Sequence, residues 1–216
     1  ARIVPSPDGK TVFTDGGVVK VADWSVLAEC KGLKEMVFSE DGKSALGCTE
    51  SSGLGLYLLP DWKAVQVGGV GGRFTTCDLS KDRKAIVAVG PFPDAICVVQ
   101  GWDKSTPQRE VLKGDEMVFA RFLDAKRFIT AGKKGGVDLW ELGKTAPVLS
   151  ARAGDDVPAV ALAADRKALF TLCGTAVKKF SVADLKEAEV KLEKARPKPG
   201  LLVSPKGRYV AGFGGG

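Results

Sequence analysis

The chain has 216 residues, of which 44% are hydrophobic and 27% charged, so it is long enough to bury a core and has an ordinary globular composition. No apolar run approaches the ~18 residues that span a bilayer, so we expect a soluble chain without membrane insertion. With 27 glycines and only 7% aromatic residues, the composition favours short strands and tight turns over helical packing. Because the sequence does not begin with Met, we expect it to be part of a longer chain.

The charge is unevenly distributed. The net charge is +6; residues 1–108 hold 12 basic and 13 acidic groups, and residues 109–216 hold 20 and 13. Such asymmetry can mark a surface for an anionic partner, but solubility through surface lysines is the interpretation we favour.

Histidine is absent, which excludes Ser-His-Asp and Cys-His catalysis and histidine-ligated metals within this chain. The five cysteines form no CxxC pattern and lie in or beside apolar runs, which favours reduced structural thiols in a compartment such as the cytoplasm. We therefore expect no enzyme activity, no cofactor and no metal.

A turn signature recurs along the whole chain. It reads SPDGK at residue 6, SEDGK at 39, SKDRK at 80, LDAKR at 123, AADRK at 163 and SPKGR at 204, with spacings of 33, 41, 43, 40 and 41 residues. A period near 40 residues is the length of a four-stranded propeller blade. An Asp in such a turn can accept hydrogen bonds from the backbone amides of the turn. This structural role is enough to explain the repeated acids, with no need for a catalytic or binding role: Asp8, Asp41, Asp82, Asp124 and Asp165.

The elements around these turns also repeat in chain order. Strands are predicted in the first repeat at 11–14, 18–24 and 25–30; in the second at 36–38, 44–48, 54–62 and 64–67; in the third at 76–79, 85–89, 95–102 and 108–112; in the fourth at 118–122, 127–131, 136–142 and 147–151; in the fifth at 159–162, 168–173, 176–185 and 188–192; and in the sixth at 201–203 and 209–213. Residues 184–195 are also rich in helix formers, but their period-two alternation favours a strand.

The segment Thr130-Ala-Gly-Lys-Lys-Gly-Gly-Val-Asp-Leu-Trp-Glu-Leu142 carries a resemblance to the WD40 family, with Trp140-Glu141 at the family's Trp-Asp dipeptide. The family's Asp-His-Ser-Trp network cannot form without histidine, and SPDGKTVFT also resembles a YVTN-like propeller. The resemblance implies an all-β propeller of four-stranded antiparallel blades in a single domain or fragment. The blades are expected at about 1–32, 33–72, 73–114, 115–154, 155–198 and, as a partial sixth, 199–216. Either further blades follow, or partners complete the ring, or five blades close alone.

The resemblance further implies that the loops from strand four to the next strand one, and from strand two to strand three, project from the same side of the blades. These loops are expected to form a partner-binding face. Its basic residues are Lys34, Arg73, Lys113, Lys133, Lys134, Arg152 and Lys198. The acidic residues among them are Glu35, Asp94, Asp115, Glu116, Asp155 and Asp156.

Mixed charge suits a protein partner, and a non-catalytic interaction scaffold is the function we expect. Nucleic acid is the second choice, because only Phe74 and Phe92 offer base stacking in those loops. An enzyme or small-molecule binder that uses a central channel remains the alternative from another class.

Overall fold

The computed structural model describes residues 3–14, 17–30, 32–49, 53–67, 72–90, 95–104, 106–114, 116–174, 176–190, 200–204 and 209–213. In these residues every regular element is a β-strand, and the strands form five four-stranded antiparallel sheets and one two-stranded sheet. Each strand pairs with the next along the chain, which is the topology of a propeller blade. The expected all-β fold of repeated blades is therefore confirmed. The chain divides into two compact units, Ala1–Lys113 and Gly114–Gly216.

The first unit contains sheets 1, 2 and 3. Sheet 1 is formed by β1 (Val4–Pro5), β2 (Thr11–Thr14), β3 (Gly17–Lys20) and β4 (Val26–Glu29). Sheet 2 is formed by β5 (Leu33–Phe38), β6 (Ser44–Thr49), β7 (Gly53–Leu58) and β8 (Lys63–Gln66). Sheet 3 is formed by β9 (Thr76–Leu79), β10 (Ala85–Gly90), β11 (Ala95–Gln100) and β12 (Gln108–Lys113).

The second unit contains sheets 4, 5 and 6. Sheet 4 is formed by β13 (Met117–Phe122), β14 (Arg127–Gly132), β15 (Gly136–Glu141) and β16 (Leu149–Arg152). Sheet 5 is formed by β17 (Ala159–Leu162), β18 (Ala168–Cys173), β19 (Ala176–Ser181) and β20 (Glu187–Glu189). Sheet 6 is formed by β21 (Gly200–Val203) and β22 (Val210–Phe213). The strand interpretation is thus confirmed for 187–189, whereas residues 191–199 lie outside the described part.

The repeated turn is closed by its own side chains. In sheet 2 the Ser39 hydroxyl donates to Asp41 Oδ1 at 2.7 Å and accepts the Ser44 amide at 3.0 Å, and Asp41 also accepts the Lys43 amide at 3.0 Å. Equivalent bonds form in the turns that contain Ser6 with Asp8 and Ser80 with Asp82. Asp124 and Asp165 likewise accept backbone amides two residues further on. The structural explanation of the repeated aspartates is therefore confirmed.

The prediction that third strands extend to Trp24, Trp62 and Leu185 is wrong. All three have left-handed backbones, with φ of 57°, 52° and 53°. The Trp24 amide donates to the Lys20 carbonyl at 3.0 Å and the Leu185 amide to Ser181 at 2.8 Å. These two bonds reverse the chain soon after β3 and β19 end, so Trp24 and Leu185 lie in turns. The third strand of sheet 2 likewise ends at Leu58, before Trp62.

Apolar side chains pack between neighbouring sheets within each unit. The cluster between sheets 2 and 3 includes Leu46, Leu56, Cys77, Ile86 and Val99. The cluster between sheets 4 and 5 includes Phe119, Ile129, Leu139, Leu169 and Phe180. Neighbouring sheets within a unit thus pack against each other through apolar side chains.

Candidate interaction surface

Three of the predicted basic residues meet at one end of the second unit. Lys133 and Lys134 form the turn between β14 and β15, and Arg152 ends β16. These cations, together with Glu116, Asp155 and Asp156, line a cavity of about 240 Å³, here called the charged cavity. The structure therefore brings side chains from both predicted loop classes onto one surface.

Backbone hydrogen bonds fix the walls of the charged cavity. The Lys133 amide donates to the Glu116 carbonyl at 2.9 Å, and the Lys133 carbonyl accepts the Val157 amide at 2.7 Å. The turn also contains Gly135, whose φ is +88° and whose added Cβ would lie 1.5 Å from the Gly154 carbonyl oxygen. Only glycine fits this approach, so the position of the loop depends on that residue.

The charges of the cavity are mixed and exposed. Lys134 Nζ lies 3.4 Å from Glu116 Oε1, and Arg152 forms an ion pair with Asp155. Exposed ion pairs contribute little to stability, so these side chains can change partners at small cost. The arrangement can bind charged groups and offers both signs to a partner.

Three of the other predicted basic residues, Lys34, Arg73 and Lys113, belong to the first unit and are not among the described residues that line the charged cavity. Arg73 is exposed and precedes β9, and its carbonyl lies beside Gly90 at the end of β10. Lys113 is exposed at the end of β12, at the same end of sheet 3. Lys34 lies in β5, and nothing of its side chain is described.

Several further candidates do not contribute to the described surface. Phe74 is only 2% exposed and packs in the core between sheets 2 and 3, so the idea that it stacks bases is wrong. Glu35 is also buried, and its carboxylate accepts the Cys77 amide at 3.3 Å. Four candidates lie outside the described residues: Phe92, Asp94, Asp115 and Lys198.

The five cysteines are free thiols, and four of them are buried. Burial raises the pKa of the Cys30 and Cys97 thiols above its ordinary value, which disfavours the nucleophilic thiolate. Among the described residues, no group of three or more His, Cys, Asp or Glu side chains could hold a metal ion.

The Trp140-Glu141 dipeptide lies in β15 at the centre of sheet 4. The Trp140 indole N–H donates to Thr130 Oγ1 in β14 at 3.0 Å, and both residues are buried. Trp140 also stacks on Phe128, with ring centroids 6.1 Å apart. A buried tryptophan–hydroxyl bond therefore forms inside the sheet although the chain has no histidine.

One cavity was missed from the sequence. A groove of about 820 Å³ lies between sheets 1 and 2 and is lined by apolar side chains, including Leu27, Phe38 and Trp62, and by three lysines. The sequence does contain a sign of this groove. The turn SEDGK has glycine, Gly42, at its fourth position, where the turns SKDRK and AADRK have arginine.

No protein-family model matches the chain, and no curated protein matches its sequence at a significant level. The described residues contain no helix of the length and apolar character required to cross a membrane.

Proposed function

We propose that this chain is part of a WD40-like β-propeller that binds a protein partner, without chemistry of its own, through the charged cavity and the turns around it. The main support is that Lys133, Lys134 and Arg152, which belong to two different loops, line one cavity together with three carboxylates. A rigid sheet scaffold that presents converging loops is a common way to build a binding surface.

The balance of charge favours protein over nucleic acid. The charged cavity has three cations and three carboxylates, so its local charge is close to zero. A phosphate backbone requires a net positive surface, whereas a protein partner can complement both signs. The buried position of Phe74 also removes one of the two aromatics considered for base stacking.

A charge-reversal comparison tests this proposal. The chain carrying K133E, K134E and R152E is used as bait beside the wild-type chain, and captured proteins are quantified by mass spectrometry. The matched control carries K126E, K144E and K167E, which make the same change of charge on exposed turns at the opposite end of sheets 4 and 5.

We expect at least one partner whose capture falls by about tenfold or more with the cavity variant and by less than about twofold with the control. Equal loss with both variants would show that only the overall charge matters. If nuclease treatment abolishes capture, and naked nucleic acid binds with a steep salt dependence, the polyanion alternative replaces this proposal.

A further inference from the structure

The groove between sheets 1 and 2 lies within the first unit and has an apolar body. Trp62 packs edge-on against Phe38, with ring centroids 6.1 Å apart, and tilted against Tyr57 at 6.2 Å. Phe38 and Trp62 line the groove from sheet 2, and Leu27 lines it from sheet 1. All of these side chains are only partly buried, so an apolar molecule in the groove would cover surface that water now contacts.

The groove is open because one turn residue lacks a side chain. At the fourth position of the turn in sheet 3, Arg83 reaches back to sheet 2, where its Nη1 lies 3.3 Å from Asp41 Oδ2. At the same position in sheet 5, Arg166 Nη1 donates to the Leu123 carbonyl at 3.4 Å. In sheet 2 this position is Gly42, and an added Cβ there would have no heavy atom within 4 Å.

The glycine is not required by the shape of the turn. Gly42 has a φ of 65°, and the arginines at the equivalent positions have φ of 60° and 57°. An arginine can therefore occupy this conformation in the same kind of turn.

The polar part of the groove is basic. Lys10, Lys20 and Lys43 line it, and Asp8 is the one carboxylate among its described lining residues. That carboxylate already accepts the Ser6 hydroxyl at 2.7 Å and the Lys10 amide at 3.0 Å. Each lysine also lies near one aspartate, Lys10 near Asp8, Lys20 near Asp23 and Lys43 near Asp41. Of these aspartates, Asp8 alone is among the described lining residues. The groove therefore combines an apolar wall with net positive charge.

We propose that this groove binds a small anionic molecule with an aromatic or aliphatic body, whose apolar part packs against Phe38 and Trp62 and whose anionic group faces the lysines. Its volume of about 820 Å³ is that of a small-ligand pocket. A typical protein interface instead buries about 800 Å² on each partner, over some 20 residues or more. This site is independent of the charged cavity.

Binding of 2-naphthoate to the full chain, measured by titration calorimetry, tests the proposal. The neutral, isosteric 2-naphthamide is titrated in parallel. We expect one naphthoate per chain and an affinity at least about fivefold higher than for the amide, because the lysines act on the carboxylate alone.

Three variants locate the site. Gly42→Arg should place a guanidinium near Asp8, as Arg83 lies near Asp41, and should lower naphthoate affinity by about tenfold or more by filling the groove. The double variant K10A and K43A should lower it by about fivefold or more and does not depend on the arginine fitting. The control is Lys84→Ala. Lys84 is the counterpart of Lys43 in the turn of sheet 3, where the Arg83 side chain reaches sheet 2. This control should change the affinity for naphthoate by less than about twofold.

Several results would overturn the proposal. These are no naphthoate binding at about 5 mM, equal affinity for acid and amide, or full affinity in the Gly42→Arg chain. The proposal would also be overturned if the chain bound an acidic aromatic peptide but did not bind naphthoate, because the groove would then be a docking site for a protein segment. Circular dichroism of each variant confirms that the sheets are retained.

Discussion

Replacement of Thr130 by Val should destabilise the chain by about 1 to 3 kcal/mol. The two side chains have nearly the same shape, so packing is preserved, but Val cannot accept a hydrogen bond. Thr130 Oγ1 is the acceptor of the Trp140 indole N–H at 3.0 Å, and the residues are 0% and 3% exposed. The N–H would therefore be left buried without an acceptor, and the desolvation cost of that group gives the expected magnitude.

The assay is urea unfolding followed by far-ultraviolet circular dichroism, carried out as a double-mutant cycle with Trp140→Phe. Phenylalanine has no indole N–H, so Thr130→Val in that background should cost less than about 0.5 kcal/mol, with a coupling energy of about 1 kcal/mol or more. Trp140→Phe also leaves a cavity, but this cavity is present with either Thr or Val at position 130, so its cost cancels from the coupling energy. If Thr130→Val has the same cost in both backgrounds, the hydrogen bond does not support sheet 4 and the reasoning fails.

Three further predictions concern single residues. Burial raises the pKa of the Asp138 carboxyl more than its hydrogen bond from Ser150 lowers it, so the charged form is disfavoured in the fold. Asp138→Asn should raise the free energy of unfolding by up to about 1 kcal/mol at pH 7, and the gain should vanish below about pH 3.5, in urea titrations at both values. Gly135→Ala should lower the free energy of unfolding by about 2 kcal/mol or more in the same urea titration, because Gly135 has a φ of +88° and lies against the Gly154 carbonyl. An unchanged urea midpoint would contradict this. The hydrogen bond from the Ser39 hydroxyl lowers the pKa of Asp41. The charged Asp41 therefore stabilises the fold at pH values above its unfolded-state pKa, and this stabilisation is lost as the pH falls through its folded-state pKa. Asp41→Asn should make the melting temperature fall less steeply below about pH 4.

The repeat carried most of the information about the fold. The spacing of the repeated turn signature predicted five complete blades and a partial sixth, because each turn joins the first two strands of a sheet. The structure shows that Asp41 and its equivalents close these turns locally. Local chemistry of this kind can be read from the sequence. The ends of the third strands could not, since Trp24 and Trp62 are good strand formers by type and lie in turns only because their backbones are left-handed.

The candidate sites depended more on tertiary packing. Lys133, Lys134 and Arg152 could be grouped from their positions in the repeat, and the structure places them around one cavity. The groove between sheets 1 and 2 was missed, because the glycine at position 42 matters only when the distance to the neighbouring sheet is known. The side chain of Arg83 occupies the equivalent space between sheets 2 and 3.

The most direct test of the interaction proposal is the dissociation constant of a captured partner for three chains: the wild type, the K133E, K134E and R152E variant, and the K126E, K144E and K167E control. Titration calorimetry at a fixed ionic strength gives each value. The account predicts at least about tenfold weaker binding for the cavity variant and less than about twofold for the control. Equal affinity for all three chains would contradict it, because the partner would then bind somewhere other than the charged cavity.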